Sequence, residues 1–155
     1  MSNRPQHTRT ADVVIRKMQA HEMSAVADIW FAASVQSHDF VPREFWSALL
    51  PTLTTEYLPS RDTQVAVLKS KVVGFVSLFE HHLDALFVLP SLQGNGIGSK
   101  LLTWALTQEE NLSVCVFKKN DRALMFYQRH GFVHQYGRIE SNTGEIELKL
   151  VHKRE

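Results

Sequence analysis

A single cysteine, Cys115, stands in the 155 residues, so no disulfide can form within the chain and no paired-thiolate metal or redox motif exists. Such usage suits a reducing compartment. No run of about 18 apolar residues occurs, which leaves no helical membrane span to expect. The first eleven residues (MSNRPQHTRTA) lack the apolar core of a secretory signal. A cytoplasmic protein without a membrane partner is therefore expected. Neither sign of charge dominates, because 17 Lys plus Arg oppose 16 Asp plus Glu for a net charge of +1. Bulk electrostatics then give no hold on nucleic acid, and none is expected as a partner. Internal repeats, linkers and low-complexity stretches are missing too. The length fits one domain, assigned to residues 12–152 behind a polar tail of residues 1–11. A monomer or a homodimer is expected.

What is present is a clear order of elements. Val13 to Lys17 reads as a short strand. Met23, Val26, Ile29, Trp30 and Ala33 recur at helical steps between His21 and Ala33. Phe45, Trp46, Leu49, Leu50, Leu53 and Tyr57 suggest a second helical region, which Pro51 should kink or split. Gln64 to Lys69 and Val72 to Glu80 are β-rich and joined as a hairpin, and Leu83 to Leu89 is a third extended run. Ile97 to Asn111 is helical by spacing, Leu112 to Phe117 a strand and Arg122 to His130 a helix. Phe132 to Glu140 and Glu145 to His152 close the chain as a strand pair around Ser141-Asn142-Thr143-Gly144. The pattern predicts an α/β protein: a mixed sheet with helices on both faces.

Glycine is scarce at seven residues, yet three of the seven, Gly94, Gly96 and Gly98, fall within five positions. They follow the apolar run Leu86-Phe87-Val88-Leu89-Pro90 and precede a helix. Closely spaced glycines let successive amides turn toward one point, and the helix N-terminus adds its dipole, which together make an anion site. The P-loop pattern fails because Ser99 stands where its second glycine belongs. The dinucleotide fingerprint fails because the glycines run as GxGxG. A helix start made of small residues, with no ligand, stays open on this stretch alone.

Two motifs carry a resemblance. Gln93-x-x-Gly96-x-Gly98 is similar to the [QR]-x-x-G-x-[GA] signature of the GNAT superfamily of N-acetyltransferases. Asn120-Asp121-Arg122-Ala123-Leu124-Met125-Phe126-Tyr127-Gln128-Arg129-His130-Gly131-Phe132 matches that family's N-x-x-A-x-x-[FL]-Y-x-x-x-G-F without a gap. The resemblance implies the GNAT fold, a mostly antiparallel sheet splayed between strands 4 and 5. It also implies acetyl-CoA as donor and no metal. The amides of Gly94, Asn95, Gly96, Ile97, Gly98 and Ser99 would take the pyrophosphate, Gln93 would belong to the same cofactor segment, and the backbone of Leu86, Phe87 and Val88 would pair with the pantetheine arm. Asn120, Phe126 and Tyr127 would complete the cofactor site, with Arg129 near the 3′-phosphate. Asn120 is equally well suited to cap the helix it precedes.

Tyr127 is the candidate general acid. The thiolate that leaves when an amine attacks a thioester needs a proton, and a phenol titrating at about 10 can supply it. For the amine's own proton the candidates are Glu80 and His82, beside the strand that would carry the pantetheine. His82 and Asp84 share one strand face, and Asp84, His38 and Phe40 are placed on the acceptor side. Phe45 and Trp46 could wall it, with core packing expected for at least one. The resemblance extends here to small bacterial members, some of which acetylate protein lysines. The acceptor is thus a primary amine, on a protein lysine, an N-terminus or a small molecule, and an acyl-CoA-binding module without turnover is the alternative. Cys115, inside Val114-Cys115-Val116, is expected to be inert. His81 and His82 point to opposite strand faces and give no metal pattern.

Overall fold

The structure is a computed structural model and describes residues 10–153. Residues 1–9, most of the expected tail, lie outside the described residues. Thr10 to Asp12 does not belong to a tail: it forms a short 3-10 turn packed against the glycine-rich segment. The elements are β1 (Val14–Lys17), α1 (Met23–Ser37), α2 (Arg43–Thr52), β2 (Asp62–Leu68), β3 (Lys71–Phe79), β4 (His82–Val88), α3 (Ile97–Gln108), β5 (Ser113–Phe117), α4 (Asp121–Arg129), β6 (Phe132–Ile139) and β7 (Ile146–His152). Their order is the predicted one. They build a seven-stranded sheet in the order β1-β2-β3-β4-β5-β7-β6, antiparallel except at β4 and β5.

Alternation along the strands divides the core into two layers. Val73, Val76, Leu83, Val88, Val114, Val116 and Leu150 meet α3 and α4 through Ile97, Leu101, Leu102 and Tyr127. On the other face Val65, Phe75 and Ala85 meet α1 and α2 through Val26, Ile29, Trp30 and Trp46. Burial on this scale supplies the main driving force for folding, at about 25 cal/mol per Å² of apolar surface.

Two local departures matter. Near Pro51 the helical region divides, with α2 ending at Thr52 and a π-turn following over Leu53–Tyr57. Proline supplies no N–H to the ladder, and the hydroxyls of Thr54 and Thr55 donate to the Leu50 and Pro51 carbonyls, satisfying groups the break leaves over. In β4 the register slips, with Ser77 opposite Ala85 but Leu78 opposite Leu83, so Asp84 is the extra residue of a bulge. The bulge puts Asp84 and Ala85 both toward the α1 side and returns Leu86 and Val88 to the α3 side.

Glu22 anchors the start of α1. Its carboxylate takes a two-pronged contact from the Arg16 guanidinium of β1, at 2.8 and 2.7 Å, and accepts from the Gln19 amide. The Arg16 contact, with the Gln19 amide adding to it, holds the Glu22 carboxyl at about 2, below its usual 4.5, against the opposing effect of burial. A depressed carboxylate adds stability above its ordinary titration range and loses it as pH falls from 4.5 toward about 2. Glu22→Gln is expected to cost about 1–2 kcal/mol, since Arg16 is partly solvated, and to flatten the acid limb of stability. Chemical denaturation between those two pH limits measures both.

Candidate active site

The site begins where two strands stop pairing. β4 and β5 are matched only at His82–Ser113 and Leu83–Val114. Beyond those pairs the strands part, and the backbone edge of residues 84–88 faces a cleft of about 610 Å³. Leu86, Phe87 and Val88 line one wall; Cys115, Val116 and Phe117 of β5 line the other.

The glycine-rich turn closes the head of this cleft. Gly94 and Gly96 take left-handed φ of 85° and 84° at the entry to α3, whose first-turn amides have no acceptor within the helix. The Gly96 site is also tight: a Cβ there would meet the Thr10 hydroxyl at 2.8 Å. Gln93, Gly94, Gly96, Ile97, Gly98 and Ser99 all line the cleft. Asn95 does not. Its amide folds back onto the Leu92 carbonyl at 2.9 Å, and its own carbonyl accepts from Thr10. Lys100 fastens the turn from behind by donating to the Thr10 and Val13 carbonyls. In front, Gln93 donates to the Val88 carbonyl at 3.2 Å and accepts from Arg122 at 2.8 Å, joining the end of β4 to α4. Arg129 stands exposed at the same wall.

From α4 come Asn120, Ala123, Phe126 and Tyr127. Asn120 caps α4, the second of its expected roles, and also lines the cleft. Its Oδ1 accepts from the Ala123 amide at 3.2 Å as a helix cap, which directs Nδ2 to His38 Nε2 at 3.4 Å. Tyr127 is buried at 6% exposure, and its hydroxyl has no hydrogen-bond partner among the described residues. Burial pushes the phenol well above its usual value, so it keeps its proton.

α1 and α2 wall the acceptor end. His38 lines the cleft, with its ring 5.0 Å from Trp46 and 5.2 Å from Phe117. Burial pushes His38 down to about 4, so it is a neutral imidazole; the Ser34 carbonyl opposes that shift without satisfying Nδ1. Ser34 Oγ, His38 Nδ1 and Trp46 Nε1 are all buried without a partner among the described residues. Three polar groups left unpaired beside one opening are costly unless something enters to meet them. Trp46 is therefore both core and wall, and Phe45 packs against it at 4.9 Å from outside. Phe40 stands behind His38 and Phe117 and does not reach the cleft.

The structure separates the two candidates for the amine's proton from the cleft. Glu80 is exposed in the β3–β4 turn with a φ of 54°. His82 is turned to Ser113 Oγ at 2.7 Å, and burial lowers its titration despite the neighbouring Asp84. Asp84 does reach the cleft, but Arg61 holds its carboxylate at 2.5 Å, and the Arg61 guanidinium lies over the Tyr57 and Phe79 rings at 4.5 and 4.2 Å.

Sequence reasoning missed Trp30, Ser34 and Ser37 of α1, Cys115 and Glu147. Trp30, Ser34 and His38 recur every four residues, and a serine and a histidine on an otherwise apolar stripe were the available signal. Glu147 is tied to Arg138 at 3.0 Å. Cys115 is half-buried at the cleft wall, with burial raising its thiol.

These parts fit a coenzyme A donor. The amide turn suits a diphosphate, the unpaired strand edge suits a pantetheine amide chain, and the cleft is long enough to lead both to Tyr127. Residues 59–134 match the family model for the Acetyltransferase (GNAT) domain. The peptidyl-lysine N-acetyltransferase YiaC of Escherichia coli K12 is 32% identical over 120 residues, spanning 77% of this chain and 82% of that protein. The solution structure of apo-form YjaB from Escherichia coli matches with a TM-score of 0.80 at 29% identity, over 90% of this chain and 97% of that one. The PaiA N-acetyltransferase of Thermoplasma acidophilum, solved in complex with coenzyme A, shares the fold at a TM-score of 0.73 and 15% identity, over 92% and 99% of the two chains. The chain belongs to the GNAT superfamily and is an N-acetyltransferase.

Gly96→Val combines a φ that β-branched residues avoid with a clash at Thr10. Affinity for coenzyme A is expected to fall at least about tenfold, the equivalent of about 1.4 kcal/mol, while the domain stays folded. Calorimetric titration beside circular dichroism checks both halves.

Proposed function

We propose that this enzyme moves the acetyl group of acetyl-CoA directly to the side-chain amine of a protein lysine, with both substrates held in the cleft at once. The observation that carries the reading is Tyr127, a buried residue beside the gap between β4 and β5 whose hydroxyl keeps its proton and has no partner among the described residues. Acetyl-CoA, when bound, supplies an activated thioester; the rest of the chemistry falls to the chain. Tyr127 Oη gives its proton to the departing sulfur. The thiolate takes that proton because the water-poor cleft, which holds the proton on the phenol, disfavours a free thiolate as well and so raises the basicity of the departing sulfur.

The acceptor end favours a lone amine on an aliphatic stem. Its two carboxylates, Asp84 and Glu147, are already held by Arg61 and Arg138. An ammonium gains little from them, and aromatic surface from Trp30, Trp46 and Phe117 surrounds the approach. The amine therefore enters neutral, having shed its proton to water. His38, kept uncharged by burial and with Nε2 already taking Asn120 Nδ2, adds neutral ring surface to that approach and sets no positive charge against the amine. Support for lysine as the stem comes from YiaC, a peptidyl-lysine N-acetyltransferase covered over most of its length.

Tyr127→Phe keeps the ring and its packing and removes the proton. Turnover is expected to drop about 10²- to 10⁴-fold, with kcat and kcat/KM falling together and acetyl-CoA affinity close to wild type. The wild-type rate with a lysine peptide should climb with pH and show no descending limb at the ordinary phenol value of about 10, because the Tyr127 proton is held more tightly than that. Full activity in Tyr127→Phe would remove the acid from the mechanism.

A further inference from the structure

His130 stands behind the phosphate turn, just past the end of α4, with both ring nitrogens engaged. Nδ1 is 2.8 Å from the Phe126 carbonyl and Nε2 is 3.1 Å from the Ser99 hydroxyl. Together these contacts determine the tautomer. A carbonyl oxygen only accepts, so Nδ1 carries the hydrogen; in the neutral ring Nε2 then holds a lone pair and accepts from Ser99 O–H. Ser99 has one hydroxyl hydrogen, and this contact uses it. Since Ser99 lines the cleft in the first turn of α3, it shows an arriving phosphate oxygen only lone pairs.

A proton on the ring reverses the arrangement. Nε2–H now donates to Ser99 Oγ, and the hydroxyl hydrogen is released to turn toward the anion. The ring keeps its place in either state, because Phe126 packs against it at 4.6 Å and on its other side against Gly98. We propose that His130 is a positioning residue of the donor site, coupling diphosphate binding to the uptake of one proton through Ser99. The inference rests on the coenzyme A reading above and adds a proton to it.

The charged and titratable groups on the elements around the ring do not supply this coupling. Arg129 and Arg122 on α4 stay charged at all relevant pH, and Arg122 is bonded to Gln93. Lys100, next to Ser99 on α3, is turned to the Thr10 and Val13 carbonyls. The ring of His152 on β7 approaches Gly131 and Phe132, not Ser99.

Dephospho-CoA is the probe, since it keeps the diphosphate and lacks the monoester phosphate that itself titrates near pH 6 or so. Its affinity for the wild-type chain is measured by calorimetry from about pH 5 to about pH 8, in buffers of differing ionisation enthalpy. Affinity is expected to rise as pH falls, by up to about tenfold per unit for one linked proton, with proton uptake visible in the buffer dependence. His130→Gln and Ser99→Ala should each bind with a flat pH profile, while His152→Gln keeps the slope. A flat profile in the wild type overturns the coupling, as does an unchanged slope in Ser99→Ala or its loss in His152→Gln. Failure to bind dephospho-CoA at any pH overturns the donor-site reading itself, a different result from binding without a slope.

Discussion

Everything functional in this fold depends on β4 and β5 ceasing to pair after two residues. A parallel ladder that continued would bury the β4 edge and fill the cleft. The bulge at Asp84 helps to prevent that, because it changes the twist of β4 where the ladder ends. Arg61 secures the bulge by gripping the Asp84 carboxylate between two aromatic rings. An unpaired strand edge is ordinarily a liability for aggregation. Here it lies inside a cleft bordered by α1 and α4, which shields it from edge-to-edge pairing.

Desolvation acts on the two polar groups nearest the chemistry in a consistent way. It raises the Tyr127 phenol and lowers the His38 imidazole, and both changes favour the uncharged form. The uncharged phenol is an acid and the uncharged imidazole sets no positive charge against the amine, so one physical cause serves both. The carboxylates of Asp84 and Glu147 could upset this balance, but each is matched to an arginine outside the cleft.

Much of this was readable from residue order. Strand and helix succession followed from periodicity, and the donor side followed from Gly94, Gly96, Gly98 and the segment from Asn120 to Phe132, because phosphate turns and helix caps are built by residues adjacent in sequence. The acceptor side was less legible. Trp30, Ser34 and Trp46 become a wall only when α1 and α2 fold over the sheet, and periodicity reads them simply as packing positions. Glu80 and His82 were drawn toward the site by their nearness to β4 in sequence. Strand geometry decides otherwise, since the turn carries Glu80 to the surface and Ser113 claims the His82 ring. Asn95 shows the same limit inside a motif: its neighbours face the cleft while its side chain serves the turn itself.

The hold of Lys100 on the Thr10 and Val13 carbonyls has a consequence for how this family member can vary. Both acceptors are backbone atoms, so the contact places no demand on which amino acids occupy positions 10 and 13, only on the path the chain takes there. What constrains the identity of those two residues is separate: the Thr10 hydroxyl donates to the Asn95 carbonyl, and Val13 is buried in the core. The Lys100 contact therefore joins the N-terminal segment to α3 mechanically without itself reading the side chains at positions 10 and 13.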